Sequence, residues 1–106
     1  MKPPELTQVV NLRTEDYDVY IGRAGHGQHG YFGNPFFLAS NASDNERDAC
    51  LAKFEQYFIE RLRTDVTFKR RVHELQGKKL GCFCKPRRCH GDIIAEYLNS
   101  ITKELS

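Results

Sequence analysis

Three short segments of the chain alternate apolar and polar residues as β-strands do. They cover residues 9–13, 18–22 and 79–84. Residues 14–17 suit a turn, so the first two strands are expected to pair as a hairpin, unless another element lies between them. The third strand is expected to stop at Pro86.

Three other segments show the helical spacing of apolar residues. The first is expected to begin near Ser43, which has capping-box spacing to Glu46. Thr64 is expected to cap the second, which stops near Gly77, and the third starts near His90. Their apolar stripes are Cys50, Phe54, Phe58 and Leu62; Phe68, Val72 and Leu75; and Ile94, Tyr97, Leu98 and Ile101.

This order of elements predicts a small α/β fold. We expect a single domain over residues 1–106, with its core in 8–100. Its sheet should have three or more strands, partly parallel, packed with about three helices. The length of 106 residues and the 40% hydrophobic content suit one packed core. In such sheets, ligands lie beyond the carboxyl ends of the strands.

The net charge and the lengths of the apolar runs argue against a membrane or secreted protein. The formal net charge is only +2, but residues 76–92 carry +4. No apolar run reaches the length of a membrane span, and the N-terminus lacks the apolar stretch of a secretory signal. We therefore expect a soluble protein without a membrane partner, located in the cytoplasm, or in the host cytoplasm if a phage encodes it. Its thiols should stay reduced there.

The basic stretch contains the segment that bears most of the chemistry. Strand alternation places Cys82 and Cys84 on one face, and Cys89 then falls at the start of the last helix. The exposed backbone N–H groups and dipole of a helix start favour an anion, either a ligand phosphate or a thiolate. The catalytic candidates are Cys89, His90 and Asp92. Cys84 and Arg88 are candidates for ligand binding.

Two alternatives remain open for this segment. Cys82, Cys84, Cys89 and His90 have the number and type of ligands that a tetrahedral zinc site needs, although the spacing is not that of common C-x2-C modules. In the other alternative, the cysteines pack in the core, while His90 and Asp92 cap the helix. The sequence therefore identifies neither a metal nor a cofactor.

Further ligand-binding candidates lie near the first two strands and in the glycine-rich segment 22–45. Full dinucleotide and Walker motifs are absent, but glycines let a backbone approach a ligand closely. Arginines clamp phosphates or carboxylates, and asparagine reads a base or sugar edge. These candidates are Asn11, Arg13, Gly22, Arg23, Gly33 and Asn34.

The chain resembles an uncharacterised small domain family of bacteriophages and bacteria, over roughly residues 8–100. The resemblance rests on four segments: Val9-Val10-Asn11, Tyr20-Ile21-Gly22-Arg23, Gly33-Asn34-Pro35-Phe36, and Cys82 to Asp92. Phe32 and Phe83 stand where tryptophan is common in the family, and both keep an aromatic ring. The resemblance implies an α/β domain with its motifs gathered at one site. It implies no established substrate, reaction or metal.

Together these observations predict a domain that binds a nucleotide or another phosphate-bearing small molecule. If it is an enzyme, the expected chemistry is group transfer or hydrolysis on a nucleotide or nucleobase, through a Cys-His site. The alternatives are a phage-type binder of a nucleotide signal or host protein, and a zinc-stabilised module that binds nucleic acid. The sequence predicts no oligomeric state.

Overall fold

A computed structural model describes residues 6–22, 30–36, 41–83 and 87–105. These residues contain three strands and three helices. In chain order, they are β1 (Gln8–Asn11), β2 (Val19–Tyr20), α1 (Asp44–Thr64), α2 (Val66–His73), β3 (Lys79–Cys82) and α3 (His90–Leu105).

The strands form a parallel sheet with β3 in the centre, in the order β1-β3-β2. Asn11 pairs with Cys82, and Tyr20 pairs with Gly81, so the carboxyl ends of the strands meet at one edge. The predicted α/β class, with a partly parallel sheet and about three helices, is confirmed. Of the two arrangements left open for the first two strands, the hairpin is wrong, because β3 lies between β1 and β2 and bonds to both.

Residues 12–18 connect β1 to β2 across the sheet. The Asn11 side chain accepts a hydrogen bond from the Arg13 backbone N–H at 2.9 Å, which turns the chain at the end of β1. Tyr17 then lies over Gly81, where an added Cβ would come within 2.7 Å of the Tyr17 ring. Glycine at position 81 therefore lets this connection pass close to the central strand.

Two helix starts follow their capping residues. Ser43 and Glu46 form the predicted capping box of α1. The predicted cap of α2 is off by one residue: Asp65 accepts the Phe68 N–H at 3.0 Å, whereas Thr64 ends α1. A carboxylate is a better cap than the neighbouring threonine, whose hydroxyl instead donates to the Glu60 carbonyl.

The helices cover the sheet face that carries Leu80 and Cys82, and the core lies between them. Its fully buried side chains include Ile21, Phe54 and Leu80. Among the described residues, no helix is long and apolar enough to cross a membrane.

Candidate functional site

The first turn of α3 lies at the carboxyl edge of the sheet, immediately after the loop from β3. The Asp92 carboxylate accepts the Cys89 N–H at 2.9 Å, and the Asp92 N–H donates to the Cys89 carbonyl at 3.0 Å. Gly91 packs so closely on the sheet that an added Cβ would lie 2.5 Å from Ile21 Cδ1. Asp92 thus shapes the helix start, and Gly91 allows that start to reach the strands.

His90 connects this turn to the end of β2. Its Nε2 lies 2.6 Å from the Ile21 carbonyl oxygen, in a buried position. A carbonyl only accepts, so Nε2 carries the proton. The Phe54 ring packs edge-on against the imidazole, with the centroids 5.2 Å apart. His90 therefore fixes α3 against both the sheet and α1.

Two cysteine side chains, one at the end of β3 and one just before α3, are in contact. The Sγ atoms of Cys82 and Cys89 lie 3.2 Å apart, and each residue is only 2% exposed. Both belong to the hydrophobic core. Neither is in a disulfide. The residue predicted as a nucleophile is thus buried beside a second thiol.

The segment 30–36 approaches the same region from the glycine-rich connection. Gly30 has a φ of 67° and closes a turn with the Gly33 N–H. The Asn34 side chain accepts the Phe36 N–H at 2.9 Å and donates to Cys50 Sγ at 3.5 Å. Asn34 therefore attaches this segment to α1, one turn after Arg47.

Arg47 is the member of the site that the sequence analysis missed. It is only 8% exposed, and its Nη1 donates to the Arg88 carbonyl at 3.4 Å. Among the residues that the structure describes, its buried Nε has no hydrogen-bond partner. Within the described chain, no carboxylate forms an ion pair with it.

Successive turns of α1 bring these pieces together. Arg47 reaches Arg88, Cys50 reaches Asn34, and Phe54 packs on His90. The residues at the start of α3 and the segment 30–36 therefore contact the same face of α1. The signal in the sequence was present, because Arg47 lies three residues before Cys50 on the apolar stripe of that helix.

Arg13 follows β1 and contacts Phe83, which follows β3. Its guanidinium stacks over the half-exposed Phe83 ring, 5.0 Å from the centroid. Tyr20 contacts the same ring edge-on at 6.3 Å. Burial, followed by Tyr17 and Cys82, raises the pKa of Tyr20 above that of an ordinary tyrosine, so its phenol is neutral at physiological pH. Gly22 lies beneath the Tyr20 side chain.

Two of the predicted ligand-binding residues, Arg23 and Cys84, lie outside the described residues. The zinc alternative needed Cys84 and His90, and the His90 Nε2 is already bonded to the Ile21 carbonyl. In the part of the chain that is described, no three Cys, His, Asp or Glu side chains cluster as metal ligands. The role of Cys84 stays a prediction.

A parallel sheet with helices on one face and polar groups at its carboxyl edge defines an α/β domain. Residues 6–100 match the family described as "Domain of unknown function (DUF4326)", and the chain belongs to that family. A relative from Enterobacteria phage T4, the "Uncharacterized 12.4 kDa protein in nrdA-td intergenic region", is 36% identical over 99 residues. The match covers 93% of this chain and 83% of the relative. No solved structure matches.

Proposed function

We propose that the domain binds the phosphate group of a small molecule, a nucleotide being the favoured class, between Arg47 and the turn that begins α3. The observation that carries the proposal is Arg47, a buried guanidinium with an unpartnered Nε and no carboxylate beside it in the described chain. The proposal includes a cytoplasmic location, which suits thiols that are not joined in a disulfide.

The energetics of a buried charge support an anionic ligand. Arginine stays charged in proteins, and leaving a buried charge without its partner costs about 3–5 kcal/mol. A phosphate oxygen accepts from Nε and Nη together, which suits the planar guanidinium. The positive end of the α3 dipole lies beside the Arg88 carbonyl that Arg47 contacts, and it favours the same sign of ligand charge.

The aromatic group at the same edge favours a nucleotide over inorganic phosphate. Phe83 is 49% exposed just beyond the end of β3, with the Arg13 guanidinium stacked on it. Exposed rings paired with arginine are typical stacking surfaces for nucleobases. We assign Arg13 and Phe83 to the base, and Arg47 and Arg88 to the phosphate. Asn11, Gly33, Asn34, His90 and Asp92 hold the segments in place.

The binding test is calorimetry with inorganic phosphate and a panel of nucleoside mono-, di- and triphosphates. Arg47→Met removes the charge at nearly constant length, and we expect it to weaken binding at least tenfold. Arg47→Lys should recover part of the affinity as a point charge. Arg63→Met is the matched control, since Arg63 lies on the same helix but is exposed and paired with Glu60.

Two results decide the outcome. Equal affinity of wild-type and Arg47→Met protein for every ligand of the panel would remove Arg47 from the site. Loss of nucleotide binding with retained phosphate binding in Phe83→Ala would support the assignment of Phe83 to the base.

Catalysis through Cys89, His90 and Asp92 stays a prediction. The thiol and the imidazole are buried and contact protein groups, which favours binding over nucleophilic attack. If the domain hydrolyses or transfers a group of its nucleotide, Cys89→Ser should abolish turnover and leave the affinity for the ligand unchanged. Product analysis after incubation with each bound nucleotide measures this directly.

A further inference from the structure

We propose that Cys82 and Cys89 are a reactive dithiol, which a small peroxide oxidises to an intramolecular disulfide. Their sulfur atoms lie 3.2 Å apart, and a disulfide requires about 2.05 Å. The two sulfur atoms therefore lie roughly one ångström farther apart than in a disulfide. This inference does not depend on the proposed ligand.

The backbone places the two thiols in contact from fixed elements. Cys82 is the last residue of β3, which bonds to strands on both sides. Cys89 immediately precedes α3, whose start is fixed by Asp92 and by the His90 contact with Ile21. A chance approach of two mobile side chains does not explain such a pair.

The oxidation uses one molecule of hydrogen peroxide and two electrons from the pair. The thiolate of Cys89 attacks one peroxide oxygen, the O–O bond breaks, and hydroxide leaves and takes up a proton to become water. The resulting sulfenic acid is attacked by Cys82 Sγ, which forms the S–S bond. The sulfenic oxygen leaves as a second water after taking the proton of the Cys82 thiol. Two thiols and one peroxide thus give one disulfide and two waters.

Burial decides which oxidant reacts. Each cysteine is 2% exposed, so a mixed disulfide with a bulky thiol has no room at either sulfur. Hydrogen peroxide is close to water in size, so burial hinders it less than it hinders a bulky thiol. We therefore expect peroxide to oxidise the folded protein at least tenfold faster than glutathione disulfide at equal concentration.

Cys50 provides an internal control. It is also buried, at 6% exposed, but its sulfur contacts Asn34 and the Phe36 carbonyl. Oxidation that depends on the sulfur–sulfur contact leaves Cys50 reduced. Oxidation that does not depend on this contact should also oxidise Cys50.

The experiment is mass spectrometry of the folded full-length chain after peroxide treatment and alkylation in denaturant. We expect the loss of two alkylatable thiols per chain. After tryptic digestion, a link that reductant breaks should join the peptide that contains Cys82 to the peptide that begins at Cys89. Cys84 lies on the same tryptic peptide as Cys82, so the measurement is repeated with Cys84→Ser, which should keep the link. Cys82→Ala and Cys89→Ser should each abolish it.

Three results would overturn the proposal. One is a link that disappears in Cys84→Ser, which would assign the reaction to Cys84. Another is a folded protein that keeps all its thiols while an exposed model thiol is oxidised in the same tube. The third is a stoichiometric zinc ion in native mass spectra whose removal is needed before peroxide reacts, because that would make the cysteines metal ligands.

Discussion

Two buried polar groups at opposite ends of the sheet differ in how their hydrogen bonds are completed. At the amino end, the Thr7 N–H donates to Asn99 Oδ1 at 2.7 Å, and Asn99 Nδ2 donates to the Thr7 carbonyl at 3.0 Å. The Thr7 hydroxyl also accepts the Gly77 N–H at 2.9 Å. This cluster is complete within the protein.

At the carboxyl end, Arg47 is nearly as buried as Thr7, yet its Nε has no acceptor within the described part of the chain. A group that serves only the fold is normally matched by the fold, as Thr7 is. The contrast supports the proposal that the carboxyl end binds a ligand, whereas the hydrogen bonds at the amino end stabilise the fold. Substitutions at the two ends should therefore separate stability from binding.

The largest expected effect is at the complete cluster. Asn99→Leu leaves the N–H and carbonyl of Thr7 without partners, and we expect a loss of about 2–4 kcal/mol in the free energy of unfolding. Denaturant unfolding followed by circular dichroism measures it. Asn45→Leu, at an exposed position of α1, is the control. If the stability of Asn99→Leu equals that of the wild type, the hydrogen bonds between Thr7 and Asn99 do not stabilise the fold.

The next effect is at the contact between α3 and the sheet. Gly91→Ala places a methyl group against Ile21 and Val9, and we expect a loss of about 1–3 kcal/mol. The same unfolding measurement applies. A stability equal to wild type would mean that α3 shifts freely on the sheet, so its first turn would not be a fixed part of the site.

A smaller effect is expected for Arg47→Met without ligand. Replacing a buried unpaired charge by an apolar group of similar length is neutral or stabilising, so the free energy of unfolding should change by less than about 1 kcal/mol or rise. A loss like that of Asn99→Leu would show instead that Arg47 serves the fold.

The smallest expected effect is on the stability of the domain at acidic pH. The Phe68 N–H, followed by the Arg61 side chain, lowers the pKa of Asp65 below that of an ordinary aspartate, although burial opposes this. The carboxylate therefore stabilises α2 above the unfolded pKa, near pH 4, and this contribution is lost as pH falls through the lower folded pKa. Asp65→Asn should reduce the acid sensitivity of unfolding. Identical pH profiles of both proteins would exclude this contribution.

The sequence predicted the elements better than their pairing. Helical spacing and the capping box located α1, and the start of α3 near His90 was confirmed. The parallel pairing of β1 with β3 joins residues some seventy positions apart, for example Val9 and Leu80, and no local pattern encodes it. The hairpin was expected because the two first strands are neighbours along the chain.

The site was predicted in part for a similar reason. The motifs showed which residues have functional side chains, but they did not show what those side chains contact. In the structure, Asn34 and His90 form hydrogen bonds to other groups of the protein. Arg47 was missed because a lone charged residue near a helix start is usually exposed. Only its place on the buried stripe, confirmed by packing, identifies it.

The central claim is that a phosphate group completes the hydrogen bonds of Arg47. The most direct measurement is the free energy of unfolding as a function of inorganic phosphate, at constant ionic strength set with chloride, for wild type and Arg47→Met. Binding to the folded state alone raises stability logarithmically once phosphate exceeds its dissociation constant. We expect this rise for the wild type and a flat line for Arg47→Met. Parallel curves for the two proteins would contradict it.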